Sequence, residues 1–313
     1  MFSIRPKVLV GLSGGVDSAV AAFLLKEKGF SPVGVTIFLH ESTPDNPKNC
    51  CDVKSSRLIA DILSIPFFVV DERENFRREI IETFIEAHKM GLTLNPCVKC
   101  NREFKFRKLI AIAEEKGVSF VATGHYARIE RKDGQLLIRR GKDRDKDQSY
   151  FLAFLDKEFL DKILFPLGNL TKEEVRKLAE SYGLPLKDRP ESQELCFLNG
   201  KNVTEFLKAH TEEKPGDIVT EDGKVLAKHR GVSIFTVGQR RGLSISTGKR
   251  LYVLRIEPEE NRVIVGEWEK GWKKHIEVGE INWFIEPEEK FEGLVMEEFP
   301  NLLLLSSAWV LGM

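Results

Sequence analysis

The sequence predicts an α/β protein: a doubly wound parallel sheet, then a small helical middle segment, then a C-terminal β-barrel. Three observations carry this. Short β-rich runs alternate with amphipathic helical stretches through the first half. A glycine-rich turn, 11–18, links the first apolar run to the first helical stretch. From Gly216 onward strand-like runs take over. At 313 residues, and with about 150 residues per domain as a guide, more than one domain is expected: 1–165, 166–210 and 211–313.

In chain order, the strand candidates of the first part are Lys7–Gly11, Ser31–Leu39, Pro66–Asp71 and Ser119–Thr123. Helical patterns over Val53–Leu63, Asn75–Met90 and Phe104–Lys116 lie among them. In such sheets ligands bind beyond the carboxyl ends of the strands. The loop at 11–18, the strand end near Ile37 and Thr123-Gly124-His125 all fall there. The pattern changes at Phe165-Pro166-Leu167-Gly168. Leu170–Tyr182 and Val203–Thr211 read as helices, with Thr171 as N-cap and Glu174 completing a capping box. The barrel strands are Ile218–Thr220, Val225–Leu226, Ser233–Thr236, Tyr252–Glu257, Arg262–Gly266 and Ile276–Trp283, with Asp222-Gly223 as a hairpin turn.

Hydrophobic residues make up 42% of the chain and charged residues 31%. No apolar run approaches the roughly 20 residues needed to span a bilayer, and the N-terminus lacks a signal-peptide pattern, so a cytoplasmic protein is expected. Lys+Arg and Asp+Glu both number 48, which gives no whole-molecule attraction to nucleic acid. Local basic clusters must supply any such contact: Arg102, Lys105, Arg107 and Lys108; Arg139, Arg140, Lys142 and Arg144; Arg240, Arg241, Lys249 and Arg250. Five cysteines argue for reactive or metal-binding thiols over a disulfide framework.

The turn reads Ser13-Gly14-Gly15-Val16-Asp17-Ser18. It joins a strand to a helix N-terminus, where unpaired N–H groups and the helix dipole hold phosphate. It is not the G-x-x-x-x-G-K-[ST] loop, because no lysine follows the glycines. It resembles the S-G-G-x-D-S loop of ATP pyrophosphatases (PP-loop enzymes). Gly14 and Gly15 let the backbone approach phosphates, the serines add donors, and Asp17 is expected to hold Mg²⁺.

Further motifs follow in order: Asn95-Pro96-Cys97-Val98-Lys99-Cys100-Asn101, Thr123-Gly124-His125-Tyr126-Ala127-Arg128, Lys146-Asp147-Gln148-Ser149-Tyr150-Phe151, Ser192-Gln193-Glu194-Leu195-Cys196-Phe197 and Val237-Gly238-Gln239-Arg240-Arg241-Gly242-Leu243. Over about residues 5–295 the chain resembles the bacterial tRNA-specific 2-thiouridylase family (MnmA/TrmU). The resemblance implies ATP-dependent replacement of the 2-oxygen of the wobble uridine by sulfur in tRNAs for Lys, Glu and Gln. It implies ATP at Gly11, Leu12, Ser13, Gly14, Gly15, Val16, Asp17, Ser18, Ile37 and Gly124. Asn95, Pro96 and Cys97 would face the target base, and His125, Lys146, Asp147 and Gln148 would lie near the tRNA. Cys196 matches the persulfide-bearing cysteine and Cys100 the nucleophile that resolves it, leaving a Cys100–Cys196 disulfide each cycle. A sulfur donor protein such as a cysteine desulfurase relay is implied as a partner.

Two departures leave alternatives open. Many family members have aspartate at Cys97; Cys97-x-x-Cys100 with Cys196 also resembles iron–sulfur-dependent tRNA thiolases, so a [4Fe–4S] route stands as a rival. After Phe291–Val295 the chain continues as Met296–Asn301 and an apolar Leu302–Leu305, without the Arg-Tyr segment and closing stretch usual in the family. An incomplete barrel with an open strand edge, weakened tRNA binding and self-association is expected. Another PP-loop adenylating synthetase, or a tRNA-binding protein inactive through its altered C-terminus, are the remaining readings. Cys50-Cys51 reads as packing, and His40 and Glu41 as loop residues.

Overall fold

The computed structural model describes residues 5–41, 51–184, 195–271, 281–285, 294–295 and 310–311. Cys50, Ser192-Gln193-Glu194, most of the Ile276–Trp283 strand and the tail at 296–309 lie outside the described residues.

The elements run β1 (Lys7–Gly11), α1 (Val16–Glu27), β2 (Ser31–Phe38), α2 (Val53–Leu63), β3 (Phe67–Asp71), α3 (Arg73–Phe76), α4 (Thr83–Lys89), α5 (Pro96–Lys99), α6 (Lys108–Glu115) and β4 (Phe120–Ala122). They continue with β5 (Ala127–Lys132), β6 (Gln135–Arg140), β7 (Ile163–Leu164), α7 (Lys172–Ser181), α8 (Val203–His210), β8 (Gly216–Thr220), β9 (Val225–His229), β10 (Tyr252–Glu257) and β11 (Arg262–Gly266). π-helical segments Arg77–Glu82 and Cys100–Arg107 join α3 to α4 and α5 to α6. Such wide turns recur at functional sites.

The chain forms two compact units. The first comprises Met1–Arg77, Cys97–Gly200 and Asn282–Glu286, and the second Arg78–Pro96, Lys201–Ile281 and Pro287–Met313. The division passes between residues 200 and 201, within the segment expected as a helical domain.

In the first unit the sheet order is β3-β2-β1-β4-β7, and every pairing is parallel. β1 is central, and Val8, Leu9 and Val10 are wholly buried, which is why it reads as a continuous apolar run. Alternation sends Val8 and Val10 into a core with α1, α2 and α7, and Leu9 into a second core with α6. Helices therefore cover both faces. Helix α1 is enclosed on all sides through Ala19, Val20, Ala21 and Ala22, and its Phe23 ring stacks on Tyr182, the residue that caps the end of α7, at 3.4 Å. The capping box of α7 forms as expected: the Glu174 amide donates to Thr171 Oγ1, and the Thr171 amide donates to the Glu174 carboxylate.

The antiparallel hairpin β5–β6, whose turn places Asp133 and Gly134 at φ 50° and 81°, is not among the strands expected from the sequence. The Asp-Gly signal was present, but charged residues along Ala127–Lys132 hide the strand alternation.

The second unit holds a four-stranded sheet, β10-β11-β8-β9, in which β11 pairs with β8 in parallel and the other pairings are antiparallel. Gly223 turns β8 into β9 at φ 84°. Ile218, Phe235, Leu243, Val253, Val263 and Val265 form its core. The expected strand Ser233–Thr236 begins instead in a 3₁₀ turn, Val232–Ile234, closed by Phe235 N donating to Val232 O. Among the described residues no helix is long and apolar enough to cross a membrane.

Candidate active site

The glycine loop lies at the carboxyl end of β1, within the first unit. Leu12 N donates to Val35 O of β2, and Leu12 O accepts from Thr36 Oγ1 and Ser56 Oγ. Gly14 takes φ 79°, and a Cβ there would stand 2.8 Å from Asp52 O, so glycine is required twice over. Helix α1 begins at Gly15 without a side-chain cap. The Gly15 amide donates to Ser13 Oγ at 3.4 Å, and among the described residues the amides of Val16, Asp17 and Ser18 have no side-chain acceptor, as an anion site needs. Ser13 Oγ and Ser18 Oγ lie 3.1 Å apart, and Ser18 Oγ also donates to Gly15 O. The two hydroxyls brace the turn.

Gly124, beyond β4, closes on the same loop: a Cβ there would lie 2.7 Å from Ser18 N and 2.8 Å from Asp17 C. Ile37 is half-buried at the carboxyl end of β2. The expected convergence of loop, Ile37 and the 123–125 segment on this edge of the sheet rests on these positions.

Asp17 is engaged differently from the expectation. Both its oxygens lie 2.7 Å from Lys172 Nζ, and Tyr126 Oη donates to Oδ1 at 2.7 Å. An ammonium already neutralises this carboxylate and would repel a dication, so the arrangement does not fit Asp17 as a magnesium ligand. Lys172 was not singled out from sequence. Nothing in its local pattern marks it: it is 155 residues from Asp17 in sequence and reads as the ordinary first residue of a capped helix.

His125 is buried rather than presented at the surface. Its Nδ1 lies 2.7 Å from Thr123 Oγ1, and its ring packs near Phe106 and Phe165 at 5.7 and 6.2 Å. Burial, with Lys105 nearby, drives its pKa well below the usual imidazole value, so it is neutral at pH 7. Of the neighbouring motif, Gln148 accepts from Tyr126 N and returns its own amide to Tyr126 O. Asp147 accepts from Gly141 N, Ser149 N and Ser149 Oγ. These two side chains shape the loop, and Lys146 is half-buried beside them.

Pro96 begins α5, immediately after Asn95, and Cys97 and Cys100 follow on the helical run. Cys100 is buried, while Cys97 and Cys196 are half-buried thiols. Phe76 links the two cysteine segments. Its ring lies 5.6 Å from Phe104, four residues past Cys100, and 6.3 Å from Phe197, which follows Cys196. The His40 ring also stacks on Phe76, at 6.0 Å. His40 lies in the bend after β2, as a loop residue, and is buried there, and its Nε2 has no hydrogen-bond partner among the described residues. Burial, the largest cause, pushes the Tyr150 phenol up to about 12.

Among the described residues no three His, Cys, Asp or Glu side chains are grouped to hold a metal ion. Cys97, Cys100 and Cys196 are all described, so their arrangement does not fit an iron–sulfur cluster.

Two of the three basic clusters are largely neutralised internally. Arg102 and Arg107 bind Asp156, Lys108 pairs with Glu72, Arg139 with Glu130, and Lys142 with Glu174. In the second unit Lys249 pairs with Glu267, whereas Arg240, Arg241 and Arg250 are exposed and make no ion pair among the described residues. Arg240, Lys249 and Arg250 line an open hollow of about 340 Å³ with Leu243, Ser244 and Thr247.

Comparison with known proteins gives this geometry a lineage. Residues 6–200 match the family described as "tRNA methyl transferase HUP domain", and residues 204–267 the "tRNA methyl transferase PRC-barrel domain". The chain is 44% identical over 301 residues to tRNA-specific 2-thiouridylase MnmA of Carboxydothermus hydrogenoformans, covering 92% of this chain and 82% of that protein. The protein of that name from Moorella thermoacetica is 45% identical over 271 residues, covering 83% and 76% of the two chains. The Persephonella marina protein is 44% identical over 302 residues, covering 93% and 85%. Identity at this level across both units, added to a glycine loop and paired cysteines in the expected order, means that the chain belongs to the tRNA-specific 2-thiouridylase MnmA family.

Proposed function

We propose that this chain uses ATP to thiolate position 2 of the wobble uridine in tRNAs for Lys, Glu and Gln, in the cytoplasm, through a cysteine persulfide. The observation that carries the reading is the uncapped, glycine-lined N-terminus of α1 in the same unit as two cysteine segments joined through Phe76. The family description speaks of methyl transfer and the relatives' names of thiolation. The thiols at Cys100 and Cys196 favour sulfur chemistry.

In this reading the loop amides and the hydroxyls of Ser13 and Ser18 bind the phosphates. The uridine gives up its N3 proton, and O2 attacks the α-phosphorus. The bond to the bridging oxygen breaks and pyrophosphate leaves. The adenylated O2 is then a competent leaving group. The terminal sulfur of a Cys196 persulfide attacks C2 and AMP departs, leaving a C2–S–S–Cys196 linkage. The Cys100 thiolate attacks Cys196 Sγ, which breaks the linkage, frees 2-thiouridine and leaves a Cys100–Cys196 disulfide. An external dithiol supplies the two electrons that restore both thiols. The persulfide sulfur comes from a donor protein.

Asn95, Pro96 and Cys97 are assigned to the target base. Lys146 remains assigned to tRNA, while Asp147, Gln148 and neutral His125 hold the surrounding loop. Arg240, Arg241 and Arg250 suit the phosphate backbone. Magnesium would travel with the nucleotide, and no step is assigned to a metal on Asp17. Nucleoside mass spectrometry of tRNA-Lys after incubation with Mg-ATP and a persulfide donor tests the reading: 2-thiouridine is expected, and its absence with active donor refutes it.

A further inference from the structure

Cys97 and Cys100 stand three residues apart on one continuous helical run, Pro96–Lys99 followed by Cys100–Arg107. Residues three apart on a helix share a face, so the two thiols are neighbours by local geometry alone. Asn101, 2% exposed, donates from Nδ2 to Cys97 O at 3.0 Å and pins the two turns together. A C-x-x-C pair beside a parallel α/β sheet has the spacing of a dithiol–disulfide couple. The cycle above draws on Cys100 and Cys196 as thiols and leaves the sulfur of Cys97 unused.

The three thiols differ in their access to a reductant. Cys100 is 7% exposed, whereas Cys97 and Cys196 are half-buried. A Cys100–Cys196 disulfide therefore offers an external dithiol chiefly the Cys196 sulfur. Attack there leaves the reductant bonded to the persulfide carrier itself. A disulfide between Cys97 and Cys100 is attacked at Cys97 instead, which leaves Cys196 clear for reloading.

We infer that Cys97 is a third redox thiol of the cycle, which moves the disulfide from Cys100–Cys196 to Cys97–Cys100. The inference rests on the persulfide reading above and deepens it. Departure of the thiolated base uncovers Cys97, so the transfer follows product release. Cys97 gives its proton to water, and its thiolate attacks Cys100 Sγ. The Cys100–Cys196 bond breaks as the Cys97–Cys100 bond forms, and Cys196 leaves as a thiolate with the electron pair. Cys97 is oxidised and Cys196 reduced, with no electrons gained or lost by the protein. The external dithiol then attacks Cys97 Sγ, supplies two electrons and restores Cys97 and Cys100.

The test is a single anaerobic turnover. The full chain, loaded by a persulfide donor and then freed of it, is mixed with Mg-ATP and unmodified tRNA-Lys without reductant, quenched with an alkylating agent and digested with trypsin. Cleavage after Lys99 puts Cys97 and Cys100 on separate peptides, so mass spectrometry reads which two cysteines are joined. Wild type is expected to carry Cys97 joined to Cys100 and Cys196 alkylated, in an amount that matches the 2-thiouridine formed. Cys97→Ser is expected to keep Cys100 joined to Cys196, but the wild-type map decides without it. 2-Thiouridine formed by wild type with Cys100 still joined to Cys196 and Cys97 alkylated overturns the inference and leaves the persulfide reading standing. Equal Cys97–Cys100 disulfide in a sample without ATP overturns it too, since the pair then oxidises apart from turnover. 2-Thiouridine formed with no cysteine disulfide overturns the persulfide reading itself.

Discussion

Gly124 and Gly11 border the same loop, yet the structure separates them sharply. An alanine at Gly124 would place Cβ 2.7 Å from Ser18 N and 2.8 Å from Asp17 C, both backbone atoms. Restoring ordinary contact from 2.7 to about 3.4 Å requires a retreat of about 0.7 Å in an enclosed helix. That movement displaces the amides that would bind phosphate by more than hydrogen-bond geometry tolerates. At Gly11 the nearest atoms to a new Cβ are Leu109 Cδ1 at 3.5 Å and Thr123 Cγ2 at 3.6 Å, which is ordinary contact with side-chain carbons. Gly124→Ala should therefore cost about 1–3 kcal/mol, seen as a fall in Tm of about 3–10 °C, and weaken ATP binding at least about tenfold. Gly11→Ala should stay within about 1 kcal/mol of wild type. Thermal unfolding and ATP titration on the pair decide the matter. Gly124→Ala with unchanged Tm and ATP affinity would refute the proposed closure of this segment on the loop.

Three other outcomes are expected. Cys100→Ser should still release pyrophosphate in the presence of tRNA but accumulate tRNA disulfide-linked to Cys196; a thiolation rate equal to wild type contradicts the resolving role. His125 is neutral when folded, with its pKa held below the usual 6.5 by burial, so below about pH 6.5 the unfolded chain binds a proton that the folded chain does not. His125 therefore contributes stability that is present above about pH 6.5 and declines as pH falls, by up to about 1.4 kcal/mol per unit; His88 and His229, also lowered by burial, act in the same direction. Denaturant midpoints that stay flat from about pH 7.5 to about pH 5.5 would contradict this. Replacing Arg240, Arg241 and Arg250 together by Gln should weaken tRNA binding and lower its salt dependence by roughly one unit of slope for each phosphate no longer neutralised, read by filter binding over a salt series; an unchanged slope removes the second unit's hollow from the interface.

What the sequence revealed was local. Strands Lys7–Gly11, Tyr252–Glu257 and Arg262–Gly266 and helix Val53–Leu63 fall at their predicted bounds, because apolar period and flanking turn residues fix each without help from elsewhere. The glycine loop was legible for the same reason: strand, turn and helix start are contiguous. Lys172 and Tyr126 were not, since each meets Asp17 only after more than a hundred residues of chain have folded between them. The burial of His125 depends on Phe106 and Phe165 arriving from two other segments. Phe76, the node between the cysteine segments, looked like one more apolar residue of an amphipathic helix.

The central claim is that ATP and the two cysteines act together on uridine in tRNA. The most direct measurement is nucleoside mass spectrometry of unmodified tRNA-Lys incubated with the protein, Mg-ATP and a persulfide donor, beside Cys196→Ser and a sample without ATP. The account predicts 2-thiouridine in the complete wild-type reaction alone. 2-Thiouridine formed equally by Cys196→Ser, or without ATP, would contradict it.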